Sequence, residues 1–311
     1  MRTAILLRCL GMAGLAGWLG VNCTPAAIVF ETTSPYHHIQ VVDQAGRRTL
    51  SFDSAMETTM SLTNSLQGHF QYTEFFQMPW LWNFRMTNVL MIGLGGGSTQ
   101  RAYEHYYPGV VVETVEIDPA VAQVAKKYFQ MRESATQRIH LEDGRVHLRR
   151  SEKQYDAIIL DAYVANRYGS FIPYHLATKE FFLLAREHLA TNGVIAYNVI
   201  GTLGDWRADI LGAMFKTMKA VFPQVYFFAA SDSLNVVLIG TKSTEHLTAA
   251  VLEQRALALI QQRRVTLPAF LQRVRAVRTE PPPSFELSPI LTDDYAPVDG
   301  LLSGINGANA R

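Results

Sequence analysis

Cysteine is almost missing from this chain: the two present, Cys9 and Cys23, both sit at the N-terminus, and none follows Thr24. That absence excludes a disulfide framework, a cysteine-based zinc site and a catalytic thiol from the rest of the sequence. An excess of one charge is missing too, since 28 Lys and Arg face 27 Asp and Glu for a net charge of +1. Without a basic surplus to grip a phosphate backbone, nucleic acid is excluded as a partner. No internal repeat is visible. What is abundant is apolar: 48% of residues are hydrophobic against 18% charged, the balance of a folded globular chain rather than a disordered one. A length of 311 residues allows one large domain or two modest ones.

Charge is locally absent as well. Between Arg8 and Glu31 there is none, and residues 10–21 are apolar with Gly11, Gly14, Gly17 and Gly20 at steps of three. A basic start, an apolar run and a small-residue stretch at Thr24-Pro25-Ala26-Ala27 read residues 1–27 as a signal peptide or membrane anchor. Four glycines make a buried soluble helix a poor alternative. Arg2 and Arg8 would keep the N-terminus in the cytoplasm and place the remainder outside. The alternative is a cytoplasmic domain.

From Ile28 to Phe52 short strand-like runs surround the turn Gln44-Ala45-Gly46, which predicts a small antiparallel sheet. Residues 56–84, rich in aromatics and Met, read as helical or irregular. From Asn88 the pattern changes to strands alternating with helices: NVLMIGL, STQRAYEHYY, VVVETVEID, AVAQVAKKYF, RIHLED, YDAIILDAY, KEFFLLAREHL and GVIAYNVI. Such alternation predicts an α/β fold with a parallel, doubly wound, Rossmann-like sheet. QVYFFAA and LNVVLIGTK follow as an antiparallel edge, residues 244–278 read as helical, and Pro281-Pro282-Pro283 marks a linker before a tail. The expected division is a leader at 1–27, a small β region at 28–84, a ligand-binding domain at 85–280 and a tail at 281–311.

The chemistry-bearing residues cluster at strand ends. Gly93-Leu94-Gly95-Gly96-Gly97-Ser98 follows a buried strand and opens a helix, where glycines permit a tight turn and the helix N-terminus favours negative charge. Glu116 ends the next strand, about 20 positions on, where an acidic side chain reaches ribose hydroxyls. Asp143-Gly144 follows the third strand and Asp161 closes the fourth. In open α/β sheets the ligand crevice lies at the carboxyl ends of the strands, so these four positions converge on a nucleoside-binding crevice. Ser98 stands where a dinucleotide fingerprint has its third glycine, which disfavours a nicotinamide dehydrogenase. Asp118 before Pro119 reads as a helix cap.

The order VLMIGLGGGS, VETVEIDP, LEDGR, YDAIILDAY resembles the spermidine synthases, the polyamine aminopropyltransferases, over roughly residues 31–200. The FIPYHLATKEFF and LTDDYAPVD stretches look closest to a bacterial, membrane-associated branch. The resemblance implies a methyltransferase-like fold and binding of decarboxylated S-adenosylmethionine or S-adenosylmethionine, with no metal. It assigns the ribose to Glu116, the adenine to Asp143 and Gly144, the adenosyl portion to Gly93 and Gly95, and catalysis to Asp161. Tyr36, His37, Glu57, Tyr72 and Tyr163 are the candidates for the acceptor side, with Glu74 and Tyr168 beside them.

The departures fall in the amine-binding half. Gly96 stands where the family has an acidic residue on the amine-bearing tail, Val164 where a second Asp handles the attacking amine, and His37, Glu57 and Thr73 replace Gln, Gln and His. A diamine is a dication, and each missing carboxylate leaves a buried charge costing several kcal/mol. Asp161 remains as the group to take the amine proton, with Glu57 as a replacement partner. The function expected is aminopropyl transfer to a small-molecule amine at an atypical acceptor site. The alternatives are a methyltransferase-like enzyme and a non-catalytic membrane-tethered binding module. A homodimer is left open.

Overall fold

The computed structural model describes residues 25–53, 55–166, 169–203 and 207–301. The apolar leader expected at residues 1–27 falls almost wholly outside them, as do Cys9, Cys23 and Tyr168. Among the described residues no helix is long and apolar enough to cross a membrane.

Four strands open the fold: β1 (Ala27–Thr33), β2 (His38–Gln44), β3 (Arg47–Phe52) and β4 (Ala55–Ser61), paired antiparallel in sequence order. The last corrects the helical or irregular reading of residues 56–84. Met56 lies exposed while Thr58 and Met60 are buried, and β4 pairs with β3 from Ala55 opposite Phe52 to Ser61 opposite Arg47. Extended β-branched threonines suit that pairing better than a helix. The segment after it carries the short helix α1 (Tyr72–Phe75) and a 3-10 turn over Met78–Leu81.

The main sheet follows through β5 (Asn88–Ile92), α2 (Ser98–Tyr106), β6 (Val111–Glu116), α3 (Pro119–Tyr128), β7 (Gln137–Leu141), α4 (Gly144–Arg150) and β8 (Tyr155–Leu160). A small hairpin of β9 (Val164–Asn166) and β10 (Gly169–Phe171) leads to α5 (Lys179–Glu187), β11 (Leu189–Ile200), α6 (Ile210–Lys219), β12 (Gln224–Ala229) and β13 (Asn235–Thr241). Then come α7 (Ala249–Gln261), α8 (Phe270–Val274) and β14 (Val277–Arg278). The eight strands stand in the order β14-β12-β13-β11-β8-β5-β6-β7. From β11 to β7 neighbours are parallel, while β13 runs antiparallel to both β11 and β12. Residues 244–278 are two helices and an edge strand: the helical run stops after Gln261, where Arg263 takes a positive φ of 54°, and resumes only beyond Pro268.

Strand alternation divides the core. Leu90 and Ile92 join one buried cluster with Phe181, Phe182, Leu211 and Phe215, while Val89 and Met91 join another with Phe75, Trp80, Leu252 and Phe270. Successive side chains of a strand point to opposite faces, and both faces here are covered by helices. A third cluster joins the small sheet to α3, through Ile39, Val41, Leu50, Phe52 and Met60 against Val121, Val124 and Phe129. That contact seats β4 over the carboxyl ends of the parallel strands. The tail after the prolines is no loose appendage: Leu291 and Val298 are buried in the first cluster, and Arg145 pairs with Asp293 at 2.7 Å.

Candidate functional site

The chain runs outward from β5 through β6 to β7, then returns to β8 on the other side of β5. Reversal of strand order at β5 and β8 opens a crevice above their carboxyl ends. One cavity occupies it, and eleven of the residues singled out from the sequence line it: Gly93, Gly95, Glu116, Asp143, Gly144, Asp161, Tyr36, His37, Glu57, Tyr72 and Tyr163.

The glycine loop is shaped by close backbone approach. Gly93 has φ +100°, and a Cβ there would collide with the Asp161 carbonyl oxygen, so β5 and β8 can meet at this level only through glycine. Gly144 is required by packing instead, since a Cβ would lie 2.5 Å from Cγ2 of Ile92. Arg101 braces the loop from below. Its guanidinium donates to the carbonyls of Gly96 and Phe129, and burial pushes its pKa down to about 10.

Glu116 is buried at the end of β6. Its Oε2 accepts from the Leu94 amide at 3.0 Å and its Oε1 from the Asp118 amide at 2.9 Å. Burial pushes its pKa up to about 7, against the lowering effect of those amides. Each oxygen keeps a lone pair for a further donor such as a hydroxyl. Asp143 caps α4 by accepting from the Val146 amide, and its other oxygen lies 2.8 Å from Nε2 of His175. That histidine bond holds the Asp143 carboxyl below its usual range. Asp118 caps α3, as its place before Pro119 predicts.

On the opposite side, Asp161 is held from two directions: Tyr72 Oη donates to its Oδ2 at 3.1 Å and Asn198 Nδ2 to its Oδ1 at 2.9 Å. Burial nevertheless pushes its pKa up to about 6. Glu57, projecting from β4, is pushed up to about 8 by burial and then by the charge of Asp161. The two carboxyls thus share one electrostatic environment, and two negative charges there are costly without a cation. Tyr72 stays protonated, driven well above its ordinary value by burial and by Asp161.

Three expectations need adjustment. Tyr163 lines the cavity, but its hydroxyl donates to the Asn198 carbonyl and accepts from the Ile200 amide, so it anchors β11 rather than offering a free polar group. His37 stacks on Phe52 at 4.2 Å and is buried, which lowers its pKa and presents a neutral imidazole. Glu74 does not line the cavity: it accepts from Arg273 and lies 3.0 Å from Nε2 of His69. Sequence reasoning missed Thr58, His175 and Asn198. Asn198 had left a signal, as an amide within the apolar run GVIAYNVI, whereas Thr58 lay in a stretch not read as a strand.

The missing acidic residue at Gly96 has a structural counterpart. A Cβ on Gly96 would lie 2.6 Å from Cγ2 of Thr58 and 2.9 Å from Cδ1 of Phe129, and the Gly96 amide donates to Thr58 Oγ1 at 2.9 Å. No side chain fits at this position while β4 lies where it does.

Taken together, the strand order, the glycine turn and the acidic strand ends define a Rossmann-like protein of the methyltransferase type. Comparison with known proteins narrows this class. The spermine/spermidine synthase domain model matches residues 69–231, and the chain belongs to that family. It is 31% identical over 294 residues to a polyamine aminopropyltransferase of Vibrio vulnificus, covering 89% of this chain and 92% of that one. Among solved structures, a probable spermidine synthase from Corynebacterium glutamicum superposes with a TM-score of 0.62 at 19% identity, over 74% of this chain and 88% of that one. Human methyltransferase-like protein 13 in complex with SAH gives a TM-score of 0.52 at 25% identity, over 62% and 89%.

Proposed function

We propose that the protein transfers an aminopropyl group from decarboxylated S-adenosylmethionine to a small amine. The observation that carries this reading is the pair of carboxyls, Asp161 and Glu57, facing one cavity beside a nucleoside-type glycine loop, each with its pKa raised by burial. An ammonium ion entering between them supplies the missing positive charge and draws both toward the ionised form. A pKa near 6 also makes Asp161 a better proton acceptor than an ordinary carboxylate.

In this reading Glu116 accepts the ribose hydroxyls, and Asp143 with Gly144 borders the adenine. Ile117, 41% exposed although apolar, borders the cavity next to Glu116 and gives the base a flat surface to cover. The amine loses a proton to Asp161, its nitrogen lone pair attacks the carbon bonded to the sulfonium, and the carbon–sulfur bond breaks toward sulfur. The products are an aminopropylated amine and a neutral thioether. Tyr72 and Asn198 hold the Asp161 carboxylate in place for this step, and catalysis is mainly positioning.

A second reading, methyl transfer from intact S-adenosylmethionine, is favoured by one observation: Thr58 and Phe129 fill the place of the acidic residue that would hold the donor amine. Incubating the chain with each donor and a panel of mono- and diamines, with products identified by mass spectrometry, separates the two. Aminopropyl transfer adds C3H7N to the amine and releases 5′-methylthioadenosine; methyl transfer adds CH2 and releases S-adenosylhomocysteine. Loss of turnover in Asp161→Asn with retained nucleoside binding is expected. Product from neither donor, or full activity in Asp161→Asn, would overturn the proposal.

A further inference from the structure

A second constellation lies on the edge strand, partly behind the cavity. His140 and Glu142 are two residues apart at the end of β7, and His147 stands on α4 just beyond the Asp143 turn. One donor atom from each of the three lies within 4.8 Å of the other two. The spacing produces this: residues i and i+2 of an extended segment share a face, and the tight turn folds the first helical turn of α4 back beside them.

The chemistry of the donors singles the cluster out. Nε2 of His140 and Nε2 of His147 are both buried without a hydrogen-bond partner, although His147 is only 9% exposed. Buried imidazole nitrogens are normally satisfied, and two orphans side by side call for a physical cause. Their rings lie 4.9 Å apart at 45°. The other nitrogen of His147, Nδ1, lies 2.9 Å from Oε1 of Glu142, close to the spacing of two donors on one ion.

We propose that His140, Glu142 and His147 form a binding site for a divalent transition-metal ion of the zinc type. Two imidazoles and one carboxylate suit Zn²⁺ rather than the harder Mg²⁺ or Ca²⁺, which take oxygen ligands. Donors of a tetrahedral Zn²⁺ site stand about 3.3 Å apart, given bonds of about 2.0 Å, so side-chain adjustments of about 1 Å close the site. Arg150 is the local competitor, with Nη1 3.6 Å from Oε2 of Glu142 on a largely exposed side chain. Glu113 and Glu133 flank His140 but are already paired with Lys153 and Lys126, so the charge at the site comes from Glu142. The site is separate from the transfer chemistry, yet Glu142 also lines the cavity. A bound ion would therefore stiffen the turn that carries Asp143 and Gly144.

The test is calorimetric titration of the chelator-treated, tag-free full chain with ZnCl₂, with Co²⁺ absorption as a second readout of imidazole coordination. One ion per chain is expected. His140→Ala with His147→Ala should weaken binding by more than about 100-fold, beyond what loss of an outer partner costs. Arg150→Ala, a surface change that leaves the core untouched, should tighten it. No stoichiometric binding by the folded wild-type chain would overturn the proposal, as would affinity retained in the double variant.

Discussion

Glu57→Gln should stabilise the free protein at alkaline pH while weakening its hold on an amine. The Glu57 carboxyl has an ordinary value of 4.5 and is pushed up to about 8 in the fold. Between these two values the folded state binds the proton more tightly than the unfolded chain does. Stability is therefore fully present below pH 4.5 and is lost as pH rises through about 8. Each tenfold ratio is 1.36 kcal/mol, so Glu57 costs the folded state about 3 kcal/mol more at pH 8 than at pH 5. Glutamine has no proton to lose and removes this dependence while keeping size and polarity. The assay is urea unfolding of both proteins at pH 5 and pH 8, without ligand. The variant should be nearly equal to wild type at pH 5 and more stable by about 3 kcal/mol at pH 8. A pH-independent difference, or a variant less stable at pH 8, would refute the electrostatic account of the site. Asp161 and Glu116 titrate in the same direction as Glu57, so each adds a loss of the same sign as pH rises, while the lowered carboxyls of Asp143 and Asp293 act in the opposite sense at lower pH.

Three further outcomes follow from the same geometry. Gly93→Ala should destabilise the fold by about 3 kcal/mol or more, through a positive φ and a collision with Asp161, as read by thermal unfolding; a neutral effect would contradict the close approach of β5 and β8. Glu116→Ala should lower affinity for 5′-methylthioadenosine by about 100-fold in calorimetry, through loss of a ribose partner and of the amide bonds that shape the loop, each charge-assisted bond contributing about 1.5 kcal/mol. Unchanged affinity would falsify the crevice assignment. Tyr163→Phe should cost about 1–2 kcal/mol of stability by leaving the Ile200 amide unpaired, with little change in KM for the amine. A raised KM at unchanged stability would instead make the hydroxyl a substrate contact.

Much of the candidate site was legible because its residues sit where a linear pattern places them. A buried run, a glycine turn and an acidic residue about 20 positions on fix a strand, a loop and a strand end, and the carboxyl ends of parallel strands necessarily share one rim. Gly93, Glu116, Asp143 and Asp161 needed nothing more. Thr58, by contrast, became a site residue only because β4 pairs with β3 and the small sheet packs on α3. No local periodicity carries that information, since pairing partners are chosen across the chain. The same holds for β14, a two-residue strand whose existence depends on Phe227 and Phe228 of β12 lying alongside.

The sequence by itself determined the order of elements and the chemical type of the rim: no thiol beyond Cys23, no basic surplus, glycines at a turn and carboxylates at three strand ends. Those are properties of composition and spacing, and they survive whatever the distant contacts do. Only the tertiary structure decided how the groups behave. It set Glu57 against Asp161, turned the Tyr163 hydroxyl to the β11 backbone, filled the space beside Gly96 and left two imidazole nitrogens unpartnered on β7 and α4. The reason is physical: protonation, desolvation and steric room depend on what lies within a few ångströms in space, and neighbours in space here are often a hundred residues apart in sequence, as Glu57 and Asp161 are.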